Sequence, residues 1–336
     1  MTFTIIMPVF NAGKYLAPAI ESIVNQTDGD FELLLIDDGA TDGSARVCDD
    51  YSENDSRIRV FHRQNMGICK SRNFGIENTK GEYILFCDHD DIYFPDYLAC
   101  VRRTIEQESV DPEIVKVSFC LADRWPDGKE ISTYDGIENF PSRWSKTSAD
   151  YNLFTRLTLA VWDGAYKKDF LLRNEIRFDE ALLYGMEDIL FMIEALSKVN
   201  HLCRCGEVCY KHYSNYGIST SAKYHAERIA DIFRVALRER QLFPASDFRL
   251  ALSRYRRWNG MLYFEGVHPK GAPRSPFFWI GVLNRFQKCA LFKPRWDEMK
   301  GLPPDERIFA LLLKLRLFWI YLAWRVCKIC KTRTNI

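Results

Sequence analysis

Carboxylates gather at three places in this chain of 336 residues, each at the boundary of an apolar run. Asp37 and Asp38 close Leu33-Leu34-Leu35-Ile36, Asp88-His89-Asp90-Asp91 follows Tyr83-Ile84-Leu85-Phe86-Cys87, and Glu187-Asp188 precedes Ile189-Leu190-Phe191. A carboxylate at a strand end can accept hydrogen bonds from a base or ribose, and Gly39 lets backbone approach closely. The cluster at 88–91 repels itself unless cations or protons compensate it. Hard oxygen ligands with vacant positions suit Mg²⁺ or Mn²⁺ bridging a diphosphate, where the ion neutralises charge developing on a leaving nucleotide. Between the first two clusters lies Asn65-Met66-Gly67-Ile68-Cys69-Lys70-Ser71-Arg72-Asn73, a glycine turn meeting a helix start with two cations, whose N–H groups and charges suit a phosphate. Each feature has a plainer structural alternative: an Asp-Gly turn with a helix cap, a solvated acidic turn, a solvated basic first turn, and an acidic pair complementing a helix dipole.

The elements that would position these groups alternate. Phe3 to Val9, Phe31 to Asp37, Ile58 to His62 and Tyr83 to Asp88 are apolar runs separated by segments of helical spacing, which predicts parallel strands. Leu16, Ile20, Ile23 and Val24 share one face of the first intervening helix, and a second helix is expected from Gly67 through Asn78, stopping before Gly81. This β-α-β order predicts an α/β fold with a mostly parallel open sheet that binds ligands at the carboxyl ends of its strands. Residues 110–150 read as irregular connections around a strand at Ile114 to Leu121. Residues 151–200 return to helical spacing, with a core helix starting at Ile189 to Leu196, and the chain from 222 onward reads as helical and basic.

Composition narrows the class. Hydrophobic residues make up 47% and charged residues 27%, which excludes a chain dominated by disorder. The net charge of +1 hides an asymmetry: residues 274–336 carry thirteen Lys/Arg against four Asp/Glu, about +9, and the remainder is about −8. The eleven cysteines are odd in number and scattered, which fits a reducing compartment. The start of the chain lacks a basic segment and cleavage site, so a cytoplasmic location is expected. Cys203, Cys205 and Cys209 lie close together and Cys327 and Cys330 form a C-x-x-C, but neither group has a second half at zinc-finger spacing, and buried thiols are the expectation.

Four segments taken in order resemble the family-2 glycosyltransferases, inverting enzymes of GT-A fold. They are Ile5-Ile6-Met7-Pro8-Val9-Phe10-Asn11, Ile36-Asp37-Asp38-Gly39-Ala40-Thr41-Asp42-Gly43-Ser44, the stretch from Asn65 to Ile76, and Phe86-Cys87-Asp88-His89-Asp90-Asp91. The resemblance is strong over residues 1–100, weaker to about 221 and absent beyond. It implies that Pro8, Phe10 and Asn11 shape a nucleotide pocket, that Asp37 or Asp38 contacts the base, and that Asn65, Gly67 and Arg72 lie near the donor. Asp88 and Asp90 match the D-x-D pattern, with Asp90 the favoured ligand of Mn²⁺ or Mg²⁺, and His89 stands where Ser or Ala is usual. Tyr184-Gly185-Met186-Glu187-Asp188 resembles the family's Glu-Asp motif on the acceptor side. By that likeness Asp188 is the general base and Glu187 orients it or binds the acceptor. Trp162 and Asp163 fall where relatives line the acceptor, and His212 falls near a segment closing over the donor phosphates, within reach of metal.

These readings place a GT-A-like catalytic domain at residues 1–221 and a helical basic extension at 222–336. Donor and acceptor would be a nucleotide sugar, UDP-linked as a first expectation, and a glycan or lipid-linked hydroxyl of the cell surface. A scaffold that binds nucleotide sugar without catalysis and a nucleotidyltransferase are the rival classes. Residues 308–326 are apolar and aromatic but interrupted by Lys314 and Arg316, which argues against a spanning helix. They suit either a helix lying in an anionic leaflet or a helix packed on protein. The Leu and Trp density of the tail disfavours nucleic acid as its partner.

Overall fold

Parallel strands covered on both faces need continuous apolar runs, and the first four runs form such a set. In the computed structural model they are β1 (Phe3–Val9), β2 (Phe31–Asp37), β3 (Ile58–His62) and β4 (Tyr83–Phe86). They lie in the order β3-β2-β1-β4, all parallel, so their carboxyl ends share one edge. The structure describes residues 1–124, 129–135, 143–145, 160–215 and 224–243, with positions 258, 261, 278, 281, 282, 285, 307, 308 and 311.

The intervening helices are α1 (Leu16–Val24), α2 (Ser44–Asn54) and α3 (Ile68–Asn78). Helix α1 buries Leu16, Ala19, Ile20 and Ile23, the expected face, with Val24 only partly covered. Helix α3 rides directly on β1. A Cβ built on Gly75 would stand 2.5 Å from the Ile6 side chain, closer than carbon atoms approach, so the helix can sit this low only with glycine there.

Strand β4 stops at Phe86, two residues before the expected Asp88. Cys87 N–H still donates to Ile6 O at 3.1 Å, but the chain then turns, with Asp91 N–H on Asp88 O at 3.1 Å. The second carboxylate cluster is therefore a turn beyond the strand end. Past β4 the sheet becomes mixed. Strand β9 (Gly164–Lys167) pairs antiparallel with β4 and with the first half of β6 (Ile114–Arg124), which runs three residues beyond the expected Leu121. Strand β10 (His201–Asn215) lies parallel to β6, while β5 (Ile92–Tyr93), β7 (Glu130–Asp135) and β8 (Arg143–Ser145) pair antiparallel at the margins. Strand β9 falls in a stretch read as helical, because four residues inserted between two longer strands leave no periodic signal.

Three more helices complete this part: α4 (Tyr97–Glu106), α5 (Lys168–Arg173) and α6 (Glu187–Lys198), the last extending the expected core helix at both ends. One hydrophobic core joins side chains of β1, β2, α1, α4, β6 and β10.

The chain divides into two compact units, Met1–Thr220 and Ser221–Ile336. In the second, α7 (Ala226–Leu242) buries Arg228, Ile232, Val235, Ala236 and Glu239 along one stripe, and the buried Trp258 indole N–H donates to the Glu239 carboxylate. Of the apolar tail segment 308–326, only positions 308 and 311 lie among the described residues. Among the described residues no helix is long and apolar enough to cross a membrane.

Candidate active site

The loops after β1 and β2 fasten to each other at the shared carboxyl edge. Asn11 adopts a left-handed conformation, φ 47°, and its Oδ1 accepts from Thr41 N–H at 2.8 Å. Gly13 N–H donates to Asp42 Oδ2 at 2.9 Å and Ala12 N–H to Ser44 Oγ at 3.1 Å. Phe10 and Met66 are each 43% exposed here, large apolar side chains held at the rim instead of in the core.

Asp37 and Asp38 are both 4% exposed and organise this rim from within. Asp37 Oδ1 accepts from Ala40 N–H at 2.8 Å, and Oδ2 meets His62 Nδ1 at 2.8 Å. The bond to Asp37 is the largest of the influences raising the His62 pKa. Asp38 accepts from the N–H groups of Met66 at 2.9 Å and Gly67 at 2.8 Å, pinning the turn that opens α3. Gly39 permits this closeness: its φ is 79°, and a Cβ would stand 2.9 Å from Asn65 N. Each carboxylate oxygen has a second lone pair, so these bonds do not exhaust either Asp as an acceptor.

Helix α3 carries Arg72 into the centre of the site. This residue is 1% exposed, and its guanidinium donates from Nη2 to Asp88 Oδ1 at 2.8 Å and from Nη1 to Asp188 Oδ1 at 2.5 Å, with Glu187 Oε1 at 3.6 Å. The Phe178 ring lies beneath it, 5.1 Å from the guanidinium carbon. Asn73, the next residue, exchanges two bonds with the backbone of Phe178, giving one to O and taking one from N–H, both at 2.9 Å. Gly185 and Met186, at φ 110° and 75°, then turn the chain so that α6 opens with Glu187 and Asp188 over Arg72.

Burial opposes the charge on Asp88, but Arg72 outweighs it and holds that carboxyl below its ordinary value. The balance tips the other way on the facing side. Burial and then the neighbouring Asp188 push Glu187 up to about 7, and burial leaves Asp188 raised despite its bond to Arg72. Asp90 is pushed up to about 6 by burial and then by the Asp91 carboxylate.

Asp91 is fully buried and takes three hydrogen bonds: from Tyr210 Oη at 2.6 Å and His212 Nδ1 at 2.8 Å on Oδ2, and from Tyr213 N–H at 2.8 Å on Oδ1. Burial alone would lower the His212 pKa, but Asp91, then Asp88 and Asp90, raise it to about 9. His89 contributes elsewhere, its Nδ1 lying 3.2 Å from Pro8 O, which ties the acidic turn to β1.

Ligand atoms of Asp88, Asp91 and His212 lie within 4.8 Å of one another. With Nδ1 bonded to Asp91, His212 keeps Nε2 for a metal, the arrangement by which a carboxylate orients a metal-binding imidazole. Five carboxylates, of Asp88, Asp90, Asp91, Glu187 and Asp188, crowd around one guanidinium and one imidazole, and this excess of negative charge adds to burial in raising Asp90 and Glu187. The donor set fits a hard divalent cation.

Two expected positions need correction. Asp163 is fully buried in an ion pair with Lys116, itself fully buried in β6, so it neutralises a core lysine instead of facing an acceptor. Trp162 is 7% exposed, with its ring stacked against Tyr210 at 4.8 Å and His212 at 4.6 Å. It supports the histidine from the core side. The sequence reading gave no separate role to Asp91, Tyr210, Phe178 or Asn73. For Asp91 the available signal was a third aspartate in a run of four residues.

Residues 4–162 match the family model Glycosyl transferase family 2. Among curated proteins, the Uncharacterized glycosyltransferase YibD of Escherichia coli (strain K12) is 27% identical over 214 residues, 62% of this chain and 60% of the relative. The Uncharacterized glycosyltransferase EpsJ of Bacillus subtilis (strain 168) is 28% identical over 228 residues, 66% of this chain and 63% of the relative. The chain thus spans less than two thirds of either relative. The fold is similar to that of S. aureus TarS 1-349, whose crystal structure is in complex with UDP-GlcNAc. The TM-score is 0.70 at 19% identity, covering 96% of this chain and 90% of that one.

Proposed function

We propose that the chain is a family-2 glycosyltransferase of GT-A fold, as the family match over residues 4–162 and the likeness to TarS support, and that it moves one sugar from a UDP-sugar to a hydroxyl of a glycan or lipid-linked acceptor, with inversion. The observation that carries this reading is the Arg72 bridge, which joins an acidic turn suited to a metal-bound diphosphate to an acidic helix start suited to a base. Phe10 and Met66 would cover the base, with the Asp37 and Asp38 carboxylates beside its polar edge. Mn²⁺ or Mg²⁺ held by Asp90 and His212, with Asp88 alongside, would supply positive charge for the diphosphate.

Asp188 is the base. Arg72 fixes its Oδ1, leaving Oδ2 to take the proton of the acceptor hydroxyl as that oxygen attacks the anomeric carbon and the nucleoside diphosphate departs from the opposite face. Burial raises its pKa, which strengthens it as a proton acceptor. Glu187, protonated part of the time with a value about 7, can donate to an acceptor oxygen or hold Asp188 in place.

Residues 1–221 would constitute the catalytic part and 222–336 a basic extension that meets an anionic leaflet, bringing the site to lipid-linked acceptors at a membrane's cytoplasmic face. Liposome co-sedimentation that is unchanged when residues 274–336 are removed would reject that attachment.

The direct test is acceptor-stimulated release of a nucleoside diphosphate from a panel of nucleotide sugars with Mn²⁺. Asp188→Asn is expected to cut that release by about 10²–10⁴-fold while leaving donor affinity nearly unchanged. Full transfer by the variant refutes the assignment, and a folded, metal-replete protein that binds no nucleotide sugar refutes the function.

A further inference from the structure

Cys100, Cys205 and Cys209 come together outside the site just described. Their Sγ atoms lie within 4.8 Å of one another, and the residues are 1%, 4% and 2% exposed. Cys100 comes from α4, and the other two come from β10, more than a hundred residues later. Between them β10 leaves regular pairing with β6: Cys205 stands opposite Val117 and Val208 opposite Ser118, so Gly206 and Glu207 bulge out, and a second shift precedes Tyr210. The strand therefore makes a short exposed loop with a buried thiol at each foot.

Glu207, on that loop, reaches back to the cluster. Its Oε2 accepts from Cys100 Sγ at 2.8 Å, and its other oxygen pairs with Arg103, whose Nη2 is 3.4 Å from Cys100 Sγ. Three sulfurs thus converge from two elements, and a carboxylate oxygen bonds one of them. We propose that Cys100, Cys205, Cys209 and Glu207 form a tetrahedral zinc site that clips the bulge of β10 to α4.

Zn–S bonds of about 2.3 Å set the sulfurs of a tetrahedral site about 3.8 Å apart, so a small contraction of the present cluster suffices. The three thiols give up their protons on binding, and Arg103 offsets part of the resulting negative charge. The ion would be structural, since four protein ligands leave no open position. Its location matters for the neighbouring site, because Cys209 immediately precedes Tyr210, whose hydroxyl bonds Asp91.

The test is a cobalt titration of the reduced, metal-stripped full chain, with circular dichroism confirming that it stays folded. One equivalent per chain should produce a sulfur-to-cobalt charge-transfer band and tetrahedral ligand-field bands, both erased by Zn²⁺. Cobalt at the carboxylate and imidazole groups of the catalytic site has no sulfur ligand and gives no such band, so the two sites report separately. Cys205→Ser and Cys209→Ser should each weaken or abolish the band. A folded, reduced wild-type chain that shows no charge-transfer band overturns the proposal, as does a band kept at full intensity in both variants.

Discussion

Replacing Arg72 by methionine keeps much of the side chain's length and removes the cation that joins Asp88 to Asp188. Two carboxylates lose hydrogen bonds of 2.8 and 2.5 Å, and Glu187 loses an attraction at 3.6 Å. A unit pair at 4 Å is worth about 4 kcal/mol at an effective dielectric of about 20, but desolvating the guanidinium opposes much of that attraction. Breaking a buried pair from one side costs about 3–5 kcal/mol, because the orphaned charge stays behind. For a unit of this size the loss corresponds to a fall in Tm of roughly 6–20 °C. The pH dependence carries the reasoning further. Without Arg72 the three carboxyls titrate above their unfolded values, so the folded state binds protons more tightly and the destabilisation grows as pH rises above the unfolded range. Protonation in the folded state relieves it at lower pH. Thermal unfolding followed by tryptophan fluorescence at about pH 5.5 and about pH 7.5 should therefore show a larger gap between variant and wild type at the higher pH. An Arg72→Met protein as stable as wild type at the higher pH, or a gap that widens on acidification, refutes the argument.

Other outcomes follow from neighbouring contacts. Asp91→Asn places an amide donor among three groups that already donate to this position, so His212 loses its orienting partner, and the Mn²⁺ concentration needed for half-maximal transfer should rise about 10–100-fold; an unchanged requirement would separate Asp91 from the metal. Lys116→Met leaves Asp163 buried without its counter-charge and should cost about 3–5 kcal/mol in denaturant unfolding, while a double replacement of Lys116 and Asp163 by apolar residues should recover most of it. Failure of the double variant to recover would show that the pair does more than balance charge.

The strands β1 to β4 were legible because burial on both faces leaves an unbroken apolar run, and the carboxylates at their ends were legible because charge next to such a run has few places to go. What escaped depended on distance along the chain. Asp91 reads as one more acid in a turn until Tyr210, His212 and Tyr213 arrive from β10, more than a hundred residues away. Lys116 sits inside an apolar run where no lysine is expected, and only its burial beside Asp163 shows why that aspartate faces inward. The thiols of β10 gave no zinc spacing because their third partner, Cys100, belongs to α4. Strand β9 left no periodicity because Gly164–Lys167 is short and one of its four residues is glycine.

The fastened loops after β1 and β2 bear on how tightly a ligand can be held. Asn11 holds its left-handed backbone because Thr41 bonds its side chain, and Gly13 and Ala12 are tied to the other loop in the same way. Ordering a residue costs about 1–2 kcal/mol of conformational entropy, and along this rim that cost is met when the chain folds. A ligand binding at this rim would meet loops already ordered by these bonds, so their ordering would not be charged against its affinity.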